Sequence, residues 1–395
     1  MSETPKAAPS TIYLDHNATT PVDPAVFAAM EPYLKALFGN PSSVEHEHGH
    51  AAALAVDRAR EQVARAIGAR PQEIVFTGSC TEANNLAILG IARAQPDKRH
   101  LITTRIEHPA VLEPARALER EGWRVTWLDV DEYGRVSPDA VASALTDDTA
   151  LVSVMAANNE VGTLQPIGAI GALCAARDVL FHSDLAQVIA YGDVDVERDN
   201  IHLASLSAHK AYGPKGMGAL YVRSRKPRAK LAPLMYGGGQ ERGLRPGTLN
   251  TAAIVGMGEA FELARRRALE DGGRLRSLCN QFRDELIAAV PGVLLNGHRE
   301  ERLPNNLSFS IEGVEPLALI RRLSDRVSFS ASSACATDKI ETSHVLLAMF
   351  GEVPRARAAF RIAPGRFTTA EDMERALKAL AGEAHRLAGM ARPAA

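Results

Sequence analysis

Four cysteines scattered over 395 residues (Cys80, Cys174, Cys279 and Cys335) are too few for a disulfide framework, and no C-x-x-C pair suggests structural zinc. Charge of one sign is also missing. The formal net charge of −2 gives no global attraction to nucleic acid or to an anionic membrane. The most basic run, RSRKPRAK at 223–230, reads as a solvated turn after a strand. No stretch of 18 apolar residues occurs, which excludes an ordinary membrane-spanning helix. The opening MSETPKAAPS lacks the apolar centre of a signal peptide, so a cytoplasmic, reducing location is expected. Internal repeats and low-complexity linkers are absent.

What remains is the composition of a soluble globular protein, 46% hydrophobic and 23% charged, long enough for two domains. From about residue 50 to 250, helical patterns alternate with short apolar runs. The runs are EIVFT (73–77), HLITT (100–104), WRVTWLDV (123–130), ALVSVMAAN (150–158), VLFHSD (179–184) and IHLASLS (201–207). They are nearly continuous in apolar character, as strands covered on both faces are. The rhythm predicts an α/β fold, a mostly parallel sheet covered by helices, in a large domain over 16–258. GALYVRS (218–224) is expected to add an edge strand. A long charged helix near 251–290 leads into NNLSFSI, VSFSA and FRIAP, which predict a smaller α+β domain formed by 1–15 and 259–395.

In an open parallel sheet, ligands bind at the carboxyl ends of the strands. Polar residues collect at those ends here. Asp184 closes VLFHSD and Gln187 follows it; Asn158, Asn159 and Glu160 close the 150–158 run. His108 follows HLITT, and Gly78-Ser79-Cys80-Thr81 joins a strand to a helix. Lys210 ends IHLASLSAHK before a Gly/Pro break, a position that suits a desolvated, fixed amine rather than a surface ammonium. The set fits pyridoxal phosphate: Lys210 as the imine-forming amine, Asp184 on the pyridine nitrogen, and the 78–81 turn as a phosphate cradle at a helix N-terminus. Ser207 and His209 add donors, and His108 is placed to stack on the ring. Cys80 sits at the same helix N-terminus, which can depress a thiol pKa; it is a candidate second reactive thiol, with its reactivity left open.

The sequence resembles the cysteine desulfurases of the nitrogen-fixation and iron–sulfur-assembly type, a class V branch of fold-type I pyridoxal phosphate enzymes. Nine segments carry the resemblance in order, among them YLDHNATTPV (13–22), FTGSCTEANN (76–85), EHPAVL (107–112), NNEVGTLQPI (158–167), HSDLAQ (182–187), SAHKAYGPKGMG (207–218) and GRFTT (365–369). The resemblance implies that Gln187 and Asn159 bond the cofactor's phenolic oxygen, with Asn159 also near the substrate carboxylate. It implies that Thr81, Ser207 and His209 hold the phosphate, and that Arg361 clamps the carboxylate of L-cysteine. Thr248 would reach the phosphate from the other subunit of a homodimer. Cys335, in SASSACATDKIETS (330–343), would take the sulfur as a persulfide and hand it to an acceptor, an iron–sulfur scaffold or a sulfur carrier. That loop lacks the Gly and the Leu-Glu-Pro of many relatives, which leaves the acceptor open. A selenocysteine lyase or other class V enzyme, and a non-catalytic scaffold of the same fold, are the competing readings. His46, His48 and His50 lack a further ligand at metal spacing and read as loop residues near the dimer interface.

Overall fold

A computed structural model describes residues 11–331 and 342–391. In chain order its strands are Ile12–Tyr13 (β1), Ile74–Thr77 (β2), His100–Thr104 (β3), Arg124–Leu128 (β4), Thr149–Ser153 (β5), Leu180–Asp184 (β6), Leu203–Ser207 (β7), Gly218–Val222 (β8), Val293–Asn296 (β9), Leu307–Ile311 (β10), Val327–Ser328 (β11), Ser330–Ala331 (β12) and Ala359–Ile362 (β13). The helices are Pro24–Lys35 (α1), Glu47–Ala66 (α2), Cys80–Ala94 (α3), Pro109–Arg120 (α4), Pro138–Ala144 (α5), Ile167–Ala176 (α6), Thr251–Ala289 (α7), Pro316–Leu323 (α8), His344–Phe350 (α9), Pro354–Arg357 (α10) and Ala370–Ala391 (α11).

Seven strands form one sheet in the order β2-β8-β7-β6-β5-β3-β4. From β7 to β4 every pair is parallel, while β8 runs antiparallel to both β7 and β2. Two reversals make β2 parallel to β7, so its carboxyl end reaches the same rim as the others. The expectation of an edge strand at 218–224 is therefore corrected. Gly-Ala-Leu-Tyr-Val is apolar throughout and lies inside the sheet, and the edges are β2 and β4. β3, β5, β6 and β7 are buried at every position, which explains their unbroken apolar runs.

Neighbouring residues along β2 feed opposite layers. Val75 joins a core with Leu86 and Ile88 of α3 and Leu118 of α4, while Phe76 joins one with Val63 of α2, Phe181 of β6 and Phe261 of α7. α7 is long enough to serve two cores. Its second half packs Phe282 and Leu286 against Phe309 and Phe360 of a four-stranded antiparallel sheet, ordered β12-β13-β10-β9. The segment after β1 is threaded between two parts of this smaller body. Leu14 N–H donates to the Ser328 carbonyl at 2.8 Å, and its own carbonyl accepts from Ala363 N–H at 2.7 Å. Asp15 is thereby fixed beside β12 and β13.

α2 begins at Glu47, with His46 as its N-cap accepting from Gly49 N–H at 3.1 Å. His48 and His50 are thus helical rather than loop residues. No helix among the described residues is long and apolar enough to cross a membrane.

Candidate active site

The carboxyl rim of the large sheet meets one wall of the smaller body around a cavity of about 410 Å³. Lys210 sits in the single 3₁₀ turn that follows β7. Thr20 holds that turn from outside, its N–H and hydroxyl both donating to the His209 carbonyl. The Lys210 ammonium donates to the carbonyl oxygens of Asn17 and Ala18, the latter at 2.7 Å, and has no carboxylate ion pair among the described residues. Desolvation, helped by the Arg361 charge, lowers its pKa from 10.5 to about 8. His209 donates to or accepts from Thr19 Oγ1 at 3.1 Å, and burial with the charges of Lys210 and Lys215 brings it to about 4.

Asp184, at the end of β6, is held by neutral donors. Asn84 Nδ2 approaches one oxygen at 2.7 Å; the other accepts from Ala186 N–H at 2.9 Å and lies 3.6 Å from Cys80 Sγ. Asn84 is one helical turn below Cys80 on α3, so the helix expected to cradle a phosphate also aims the carboxylate. The N-cap of α3 is Ser79, accepting from Glu82 N–H at 3.1 Å. Cys80 and Thr81 of its first turn line the cavity, among the N–H groups that a helix leaves without intrahelical partners. The turn packs directly on the start of β8, where a Cβ on Gly218 would overlap the Ser79–Cys80 backbone. Only glycine fits there.

The surroundings of Cys80 do not favour a reactive thiol. Its thiol pKa is pushed well above the ordinary value, first by burial and then by the Asp184 carboxylate. These terms outweigh the favourable helix N-terminus.

His108 is the N-cap of α4, its Nδ1 accepting from Ala110 N–H at 3.1 Å. The neutral ring therefore carries its proton on Nε2, and burial lowers its pKa. Behind it Glu107 is fully buried and pushed up to about 8, despite accepting from Thr104 Oγ1 at 2.8 Å and Met155 N–H at 3.0 Å. On the facing wall Arg361 of β13 donates to Asp15 Oδ1 at 2.6 Å and to the Asn159 carbonyl at 2.8 Å. Glu160, raised to about 7 by burial, accepts from Ser343 Oγ at 2.5 Å.

Asn159, Gln187, Ser207, His209, Lys210, Asp184, His108, Thr81, Cys80 and Arg361 all line this one cavity. Thr248 is exposed and does not line it. Cys335 lies outside the described residues. Four lining or supporting groups were given no role from sequence: Asp15, Asn17, Asn84 and Glu160. Asn17 exchanges two hydrogen bonds with Gln187, at 2.9 and 3.1 Å, and fixes that amide. The signal for Asp15 and Asn17 was present in YLDHNATTPV, but only as part of a resemblance.

A buried amine with no carboxylate ion pair among the described residues, a carboxylate facing the same cavity and a helix N-terminus on a parallel rim make an α/β site whose chemistry suits a phosphorylated, amine-reactive group. The comparisons narrow the class. The chain belongs to the class-V aminotransferase family, which matches residues 12–376. It is 48% identical over 370 residues to the protein named cysteine desulfurase IscS of Azotobacter vinelandii, covering 93% of this chain and 91% of that one. Among solved structures, a NifS-like protein superposes with a TM-score of 0.89 at 36% identity, covering 95% of this chain and all of the other. SspA in complex with cysteine superposes with a TM-score of 0.79 at 37% identity, over 91% of this chain and 100% of that one.

Proposed function

We propose that the chain is a pyridoxal-phosphate-dependent cysteine desulfurase, converting L-cysteine to L-alanine and passing the sulfur through a persulfide on Cys335. The observation that carries the reading is the meeting of Lys210, Asp184 and Arg361 in one cavity, in a chain whose relatives are named cysteine desulfurases. The residues fit the cofactor. The amine depressed to about 8 suits imine exchange, and the Cys80–Thr81 N–H groups suit a phosphate.

Lys210 would hold the aldehyde, and Asp184 the pyridine nitrogen. Gln187 and Asn159 would bond the phenolic oxygen; Thr81, Ser207 and His209 the phosphate, with Cys80 in the same turn. His108 would face the ring. When bound, the cofactor supplies an electron-withdrawing ring that eases loss of the substrate's Cα proton. Lys210 Nζ, between two backbone carbonyls and poised near neutrality, is the group to take that proton. His108 Nε2 is a second proton carrier on the same rim. Arg361 holds the substrate carboxylate and so fixes which Cα bond faces the ring. The Cys335 thiolate attacks the substrate sulfur; the Cβ–S bond breaks, an S–S bond forms, and Cβ takes up a proton to give alanine.

The active unit is a homodimer, in which Thr248 completes the phosphate site of the partner. Exposed apolar side chains along α1 and the segment after it support this: Phe27, Leu34, Phe38 and Val44, with Leu54 on α2. The persulfide sulfur passes to an acceptor protein, an iron–sulfur scaffold or sulfur carrier, in the cytoplasm. Incubation with L-cysteine and a thiol reductant should yield alanine and sulfide in equal amounts. A Cys335→Ser variant that released both as fast as the parent would sink the reading.

A further inference from the structure

The Arg361 guanidinium is already in use. Its Nη1 donates to the Asn159 carbonyl at 2.8 Å, and its Nη2 to Asp15 Oδ1 at 2.6 Å. Nε is buried and makes no hydrogen bond among the described residues. A carboxylate that binds an arginine side-on uses Nε together with Nη2, two parallel N–H···O bonds. One arm of that fork is open here, and the other is taken by Asp15.

Asp15 has a second commitment. Its Oδ2 accepts from Ser330 Oγ at 2.6 Å. Ser330 lies in β12, at the edge of the smaller sheet among the described residues, directly opposite Arg361 in the ladder. An edge strand is paired on one side only, so a side-chain bond adds to what fixes it. Ser343, on the far side of residues 332–341, is held differently. It donates to Glu160, which forms no ion pair with Arg361 among the described residues.

We infer that Asp15 is a positioning residue that occupies the substrate-carboxylate arm of Arg361, and that an arriving amino-acid carboxylate displaces it from Nη2 and frees Ser330. The inference rests on the reading of Arg361 as the carboxylate clamp. Asp15 acts as an internal competitor. It keeps the buried guanidinium compensated when no substrate is bound, and it makes Ser330 the side of the Cys335-bearing segment that registers binding. The Ser343 side stays fixed.

The test uses the holoenzyme and L-alanine, which carries the carboxylate but no sulfur and so does not turn over. Alanine binding is followed through the cofactor's absorbance, and amide hydrogen exchange is followed by mass spectrometry. In the parent protein, saturating alanine should speed exchange in 327–331 severalfold and leave 342–347 unchanged. Asp15→Asn, which keeps the shape and loses the charge, should bind alanine about tenfold more tightly, the scale of one charged hydrogen bond. Its 327–331 exchange should start high and no longer respond. Arg361→Lys should weaken alanine binding; if it did not, the clamp assignment would fall and the inference with it. If Arg361→Lys did weaken binding, but alanine left 327–331 of the parent unchanged, only the inference would be lost. The parent measurement requires no variant to fold.

Discussion

The two walls of the cavity treat charge in opposite ways. On the rim of the large sheet, Lys210 is bonded only to carbonyl oxygens and Asp184 only to neutral donors. Neither has an ion-pair partner among the described residues. On the wall from the smaller sheet, Arg361 is neutralised by Asp15 at 2.6 Å. A buried amine without a carboxylate partner is shifted toward its neutral form, as Lys210 is, whereas a paired guanidinium is held in one geometry. In the proposed function the rim moves protons and the facing wall grips an anion, so that one cavity would divide acid–base work from binding by whether each charge is given a partner.

The largest effect should come from removing the rim's amine. Lys210→Ala should abolish the imine absorbance after reconstitution and slow alanine formation by about 10³-fold or more, as loss of a principal proton carrier does. A coloured, active variant would break the comparison at its centre. Next is Asp184→Asn, which can keep the Asn84 contact but not the charge. We expect a shifted cofactor spectrum and a loss of about 10²-fold in kcat. Arg361→Lys belongs to the other wall and should act on binding. KM for cysteine should rise about 10- to 100-fold with kcat changed much less, because an ammonium lacks the two-pronged fork. If kcat fell more than KM rose, the division between the walls would be wrong.

Much of the rim was legible because it is local. A strand that ends in Asp184, and a 3₁₀ turn that ends in Lys210, are each readable within ten residues of sequence. The rule that ligands sit at strand carboxyl ends then brings them together. The facing wall was not legible in this way. Arg361 and Asp15 are 346 residues apart and meet because the N-terminal segment threads between β11 and β13. No periodicity announces such a bridge. Asn84 was missed for another reason: it looks like an ordinary polar position on α3, and only the height of Asp184 above that helix gives it a task. The place of β8 was misjudged because an antiparallel strand inside a mostly parallel sheet carries the same apolar signature as a parallel one. Cys80 was only half legible, because a helix terminus is visible in sequence, whereas the carboxylate facing it comes from residue 184.

Glu107 sharpens the comparison at a smaller scale, as another carboxyl with no ion pair among the described residues. Its pKa of about 8 lies above the ordinary 4.5, so between these values the folded protein holds a proton that the unfolded chain has lost. Its contribution is therefore unpenalised near pH 4.5 and increasingly destabilising as pH rises to 8. Glu107→Gln removes the titration while Oε1 still accepts from Thr104 and Met155. Between pH 5 and pH 8.5 the variant should gain about 4 kcal/mol relative to the parent in denaturant unfolding. Parallel pH curves for the two proteins would mean that Glu107 is ionised in the fold.

The smallest effect concerns Cys80, which tests whether the rim's bare carboxylate reaches beyond its own bonds. Cys80 lines the cavity and is only partly buried, which gives a small maleimide a path toward it. What should prevent reaction is the scarcity of thiolate, since burial and Asp184 both favour the neutral thiol. In the cofactor-free protein at pH 7.5, Cys80 should therefore label more slowly than a free thiol by about tenfold or more, one unit of pKa being a factor of ten in thiolate. Introducing Asp184→Asn should speed that labelling while leaving the buried Cys174 and Cys279 as they were. If Cys80 labelled as fast as free cysteine in the parent, the helix N-terminus would have outweighed the carboxylate. The rim would then owe its character to backbone dipoles rather than to Asp184.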